Sequence, residues 1–207
     1  MSNLSPTSSV PPSREPAQTS VMKRGFKAQA KALALEVRSE IGLTAHQALD
    51  PHALAREYGI PVYQFSELSV TPETLRRYGV DSPQIFSGAL IHHGRGVAIV
   101  ENDFHTLPRR RSTLSHELAH VLLEHSHELS LTYDRKCGAA AEQEDEADWL
   151  AAELLIPSDA AFRMAWADTP HQVVAQRFVV SFVYAQWRMN HSGARKIVSA
   201  TRRKRAG

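Results

Sequence analysis

Apolar residues fall into two rhythms along this chain, one of helical period and one of short extended runs. Lys27 to Ile41 is rich in Ala and Leu and reads as a helix. Pro51 to Tyr58 reads as a second helix, closed by Gly59. Val62 to Phe65 reads as a short strand, while Leu68 to Tyr78 fits neither period. Ser87 to Ile91 and Val97 to Val100 read as two strands, with His92-His-Gly-Arg-Gly96 as the hairpin turn between them. Thr106 as N-cap and Pro108 in the first turn open a helix that runs through Thr113 to Leu123. Leu129 to Ala139 is a connection. Glu142 to Pro157 then carries an apolar stripe of Ala147, Leu150, Ala151, Leu154 and Leu155 at helical spacing. Gln172 to Met189 suggests two more helices with a break near Val180-Ser181. The pattern predicts an α+β protein in which helices pack on a short β-sheet, followed by a helical, helix-turn-helix-like C-terminal segment.

Chemistry is written on two of these helices. His116-Glu-Leu-Ala-His120 is an HExxH run, and on a helix residues four apart share a face. Two imidazoles can therefore point at one place, with Glu117 beside them, as in zinc metallopeptidases. A catalytic zinc site needs a third protein ligand. The three-histidine version places it six residues after the second histidine. That position is Ser126, and the turn glycine of that version is replaced by Leu123. His125 and His127 miss the spacing and would leave the face of the pair. The acidic start of the downstream helix offers a better candidate in Glu144. Asp148, four residues on, suits a hydrogen bond to the free nitrogen of a ligand histidine. Glu146 is the competing third ligand. Most acids in that first turn simply suit the positive end of the helix.

The blocks Arg109 to His120 and Glu144 to Pro157, together with Asp50 to Val62 and Ser87 to Ile91, resemble the ImmA/IrrE family of metallopeptidases. The resemblance covers about residues 28 to 190, with the blocks in the family's order. It implies a small zincin-like fold, a zinc ion held by His116, His120 and Glu144, and Glu117 as general base. It also implies a substrate class: helix-turn-helix transcriptional repressors, cleaved to derepress phage, mobile-element or stress-response genes. Trp149, Leu150 and Ile156 depart from the usual family residues in packing positions only. Zinc fits the ligand types better than manganese, without excluding it.

Length and composition set bounds around this reading. A chain of 207 residues with 43% hydrophobic content can bury one good core with a small appendage. Its single cysteine, Cys137, excludes an intrachain disulfide and fits a cytoplasmic location. Residues 1–20, rich in Ser, Pro and Thr, lack the apolar stretch of a secretory signal and read as disordered. The division expected is a disordered tail over 1–25, a zincin-like domain over 26–160, a helical segment over 161–192 and a basic tail over 193–207. Net charge is +2, yet no acid follows Asp168. The rival reading is accordingly a regulatory protein that binds a repressor, or DNA through its basic end, without catalysis. Ala175 and Ser181 stand near helix-turn-helix positions, but Val179 replaces the turn glycine, and Phe178 and Trp187 read as core. His92, His93, His105 and His171 read as turn or surface histidines. His92, His93 and Tyr133 are weak candidates to stabilise a tetrahedral intermediate. Val97 to Val100, just before the metal helix, suits a rail for extended substrate.

Overall fold

A computed structural model describes residues 22–94, 96–125 and 139–206. The expected disorder of 1–20, the connection from Leu129, and Tyr133, Cys137 and His127 lie outside the described residues. Residues 22–25, expected in the tail, make a turn instead. Gly25, at φ 89°, opens the first helix, and Met22 packs against the core.

Helix α1 (Phe26–Glu40) lies along the later acidic helix, with Phe26, Ala30, Ala34 and Val37 buried. Helix α2 (Pro51–Glu57) starts where Asp50 accepts the amide of His52 and Pro51 fits the first turn. Strand β1 (Val62–Gln64) follows, then a short helix α3 (Pro72–Arg76) inside the stretch that fitted neither period. Strands β2 (Gly88–His93) and β3 (Gly96–Glu101) form the hairpin. The sheet order is β1-β3-β2, with β1 parallel and β2 antiparallel to β3. This corrects one expectation. Val97 to Val100 belongs to the central strand, whose backbone is paired on both sides, so it cannot serve as a rail. Ile99 and Val100 are buried, as a central strand demands. Among the described residues the edges are β1 and β2.

Helix α4 (Leu107–Leu122) carries the HExxH run and packs on β2, β3, α2 and α5. Thr106 takes the N-cap position, but its hydroxyl makes no capping bond; Pro108 sets the first turn. Helix α5 (Ala139–Leu155) buries the expected stripe, with Ala147, Leu150 and Leu154 fully enclosed.

The hydrophobic core is divided. One cluster gathers α1, α2, the sheet, α4 and most of α5; a second begins at Leu155 and Ile156. The second is built by α6 (Ser158–Trp166), α7 (His171–Phe178), α8 (Phe182–His191) and α9 (Ala194–Ala206). Ser181 caps α8 by accepting the amide of Tyr184 at 3.0 Å. Phe178 is buried in this core, while Trp187 is half-buried. The stretch 193–207, expected as a basic tail, carries α9 instead. Ala194 and Val198, four apart, bury against the second core, and Arg202 binds Asp168 at 2.7 Å. Two small apolar residues among many cations gave too faint a stripe to read. The chain is thus α+β, a small zincin-like fold of helices around a three-stranded sheet, extended by a helical C-terminal unit.

Candidate metal centre

The helical period of α4 puts His116 and His120 one turn apart on the face that meets α5. Their Nε2 atoms lie 3.0 Å from each other. Glu144, on the first half of α5, brings Oε2 to 3.4 Å from Nε2 of His116 and Oε1 to 3.3 Å from Nε2 of His120. Ligand atoms of the three residues all fall within 4.8 Å of one another. Zinc–ligand bonds of about 2.0–2.1 Å in a tetrahedron separate neighbouring ligand atoms by roughly 3.3–3.4 Å. The two carboxylate–imidazole separations match that spacing, each through a different oxygen of Glu144, and the two Nε2 atoms stand closer, so a small cation fits with a slight spreading of the rings.

The electrostatics agree with the geometry. Burial opposes charge on His116, but hydrogen bonds to Asp148 and Glu144 outweigh it and push its pKa up to about 10. Hydrogen bonds to His116 and His120 hold the Glu144 carboxyl well below the usual carboxylate range. The same negative surroundings that favour a proton on His116 would favour a divalent cation, which would take that proton's place on Nε2.

Behind the three donors stands another layer. Asp148 Oδ1 lies 2.8 Å from Nδ1 of His116, on the side of the ring away from the cluster. Nδ1 of His120 instead faces Nδ1 of His125 at 2.9 Å. Nε2 of His125 in turn faces Oε2 of Glu146 at 3.4 Å. Glu146 is buried and turned toward His125, while Glu144 meets the histidine pair. The spacing argument sets His125 aside as a third ligand, and it is not one of the three converging donors; the reversal of the chain at Glu124 instead brings its ring behind His120.

Glu117 follows His116 on the side of α4 facing β2. A side chain on Gly88 would come within 3.8 Å of Glu117 Cγ and within 2.6 Å of Thr113 Cγ2. Gly88 therefore lets the edge strand lie close under the helix beside Glu117. Directly across the β2–β3 ladder from Gly88, Glu101 is buried and bonded to His52 at 2.7 Å and to Arg110. Burial works against its charge, but these two partners outweigh it and lower its pKa to about 2. No sequence signal announced this trio, since its members come from α2, β3 and α4. His92 stands exposed on β2, and His105 approaches the carbonyl of Phe86 at 3.3 Å. His171 packs edge-on against Phe182. The side chain of His93 lies outside the described residues.

Residues 55–190 match the peptidase family described as the IrrE N-terminal-like domain. The chain belongs to the ImmA/IrrE family. The match spans both helices of the centre, the sheet and the first three helices of the second core. As an ImmA/IrrE protein it is of metallopeptidase type. No curated protein matches the chain. Among the described residues no helix is long and apolar enough to cross a membrane.

Proposed function

We propose that this ImmA/IrrE protein is a zinc-dependent endopeptidase acting in the cytoplasm on a helix-turn-helix transcriptional repressor. The observation that carries the reading is the convergence of His116, His120 and Glu144, with Glu117 one residue aside and next to an edge strand. His116 and His120 would hold the ion through Nε2, and Glu144 through its carboxylate. When bound, zinc supplies a Lewis acid for the scissile carbonyl and acidifies the attacking water. Glu117 takes the water's proton and delivers it to the leaving amine. Asp148 fixes the ring of His116 by accepting from Nδ1.

The rail for an extended substrate is β2, an edge strand among the described residues. Its backbone groups can pair with any peptide sequence, which suits cleavage of a backbone bond. The repressor as substrate rests on family resemblance. The rival reading, a non-catalytic protein that binds a repressor or DNA through its basic end, keeps exposed cations on α9 at Lys196 and Arg202 to Arg205, but a helix-turn-helix grip on DNA through α8 fares worse. The exposed positions of α8 are Phe182, Val183, Gln186, Asn190 and His191, and its one arginine, Arg188, is fully buried. A recognition helix without an outward Arg or Lys is poorly equipped for phosphates or guanine.

The test is incubation of the metal-loaded protein with a helix-turn-helix repressor encoded next to it, with and without chelator, read by mass spectrometry. One cut that disappears with chelator is expected. The Glu117→Gln variant should retain its metal and cut roughly 100- to 10,000-fold more slowly. An intact repressor after prolonged incubation with wild-type protein would remove the substrate assignment. Cleavage by Glu117→Gln at the wild-type rate would remove the assignment of the base.

A further inference from the structure

The two imidazoles of the centre are held by different devices, and only one of them is a direct carboxylate. The other begins at the end of α4. Glu124 takes a left-handed conformation, φ 52°, and the helix closes with paired amides: Glu124 to the carbonyl of Val121 at 3.0 Å, and His125 to the carbonyl of His120 at 3.1 Å. That pairing is a Schellman closure. Glycine usually occupies its left-handed position, so a glutamate there carries backbone strain that the surroundings must hold. The reversal folds His125 back onto the residue five before it. His120 and His125 are consequently joined twice, backbone to backbone and ring to ring at 2.9 Å. The far nitrogen of His125 meets Glu146, and both side chains are more than nine-tenths buried. Lys23 lies 3.9 Å from the other oxygen of Glu146.

We infer that His125 and Glu146 form a positioning relay for His120. Glu146 accepts from Nε2–H of His125, which leaves Nδ1 of His125 as an acceptor. That acceptor takes the Nδ1–H of His120, and the lone pair of His120 then sits on Nε2, facing Glu144 and His116. A neutral imidazole has one donor and one acceptor, so fixing the proton on one ring fixes it on the next. The buried carboxylate sets the direction of the whole chain. Asp148, whose side chain is 59% exposed, does the same for His116 in one step. The inference rests on His120 being a metal ligand, as proposed above. His125 and Glu146 do not touch the reacting atoms; they act through His120.

The experiment measures zinc affinity of the full-length protein by competition with a chromophoric chelator. It adds the visible spectrum of the cobalt-substituted protein and thermal unfolding of the metal-free protein. His125→Leu should weaken zinc binding roughly 10- to 100-fold and alter the cobalt bands. Glu146→Gln, which keeps the shape but loses the obligate acceptor, should weaken it in the same direction. His125→Asn should restore much of the affinity, because its side-chain oxygen can stand where Nδ1 stood. Metal-free unfolding temperatures of Glu146→Gln and His125→Asn should stay near wild type. Zinc affinities unchanged in both His125→Leu and Glu146→Gln would overturn the relay. So would losses of affinity that merely track losses of metal-free stability. If His125→Leu fails to fold, the Glu146→Gln and His125→Asn pair decides by the same criteria. Wild-type protein that binds no zinc would overturn the metal centre itself, and the relay with it; wild-type binding with indifferent variants overturns the relay alone.

Discussion

Gly88 is the residue on which the close approach of β2 to α4 depends most directly. A methyl there would meet Thr113 Cγ2 at 2.6 Å and the carbonyl oxygen of Val100 at 3.3 Å, and the carbonyl belongs to the central strand and cannot yield. Gly88→Ala is expected to push β2 away from α4 and cost roughly 1–3 kcal/mol, measurable by urea unfolding. Cleavage should fall further than stability, since the edge beside Glu117 is displaced. His120→Ala should abolish stoichiometric zinc, measured by metal analysis after dialysis; full occupancy would mean a different ligand set. Glu101 gives a pH signature. Its folded pKa, about 2, lies below the unfolded value of about 4.3. Stability from this group is complete above the unfolded value and is lost as pH falls toward 2. The acid limb of a stability–pH curve should therefore flatten between about pH 5 and 2 in Glu101→Gln. A limb of unchanged slope would show that the bonds from His52 and Arg110 contribute little. HExxH was legible because its whole meaning lies within one helical turn. His125 and Glu101 were not, because the first needs a helix end and the second needs three elements brought together.

Among the elements, α4 does most of the connecting, and Arg111 is its means. This buried guanidinium donates to the carbonyls of Leu49 and Val179, the latter at 2.9 Å, and so ties the first core to the end of α7 in the second. Arg111→Met would leave those carbonyls without their donor at a cost of about 1–3 kcal/mol. Urea unfolding should show that loss; a smaller shift than this range would argue that water replaces the guanidinium. Val179 itself ends α7 in the left-handed conformation, φ 54°. A β-branched residue is poorly suited there. Val179→Gly should raise the unfolding temperature slightly, the relief of strain exceeding the backbone entropy lost by glycine. The missing turn glycine was visible in the sequence, yet the turn formed anyway because Phe178 and Val180 are anchored in the core on either side. The edge strand was illegible for a plain reason. Alternation marks which face of a strand is buried, while sheet order depends on where a distant strand, here β1, chooses to pair.

For the whole molecule, the division into two hydrophobic clusters matters more than the division of charge. The basic C-terminus looked like a separate appendage because cations dominate its composition. In the folded chain Arg202 and Arg205 lie over the ring of Trp166, and α9 closes the second cluster. The most telling member is α5, which belongs to both clusters. Its early residues present Glu144, Glu146 and Asp148, its middle fills the first cluster with Leu150 and Leu154, and Leu155 opens the second. A rigid rod with the ligand at one end and a foreign foundation at the other behaves as a lever. A shift of that foundation would carry Glu144 with it relative to His116 and His120.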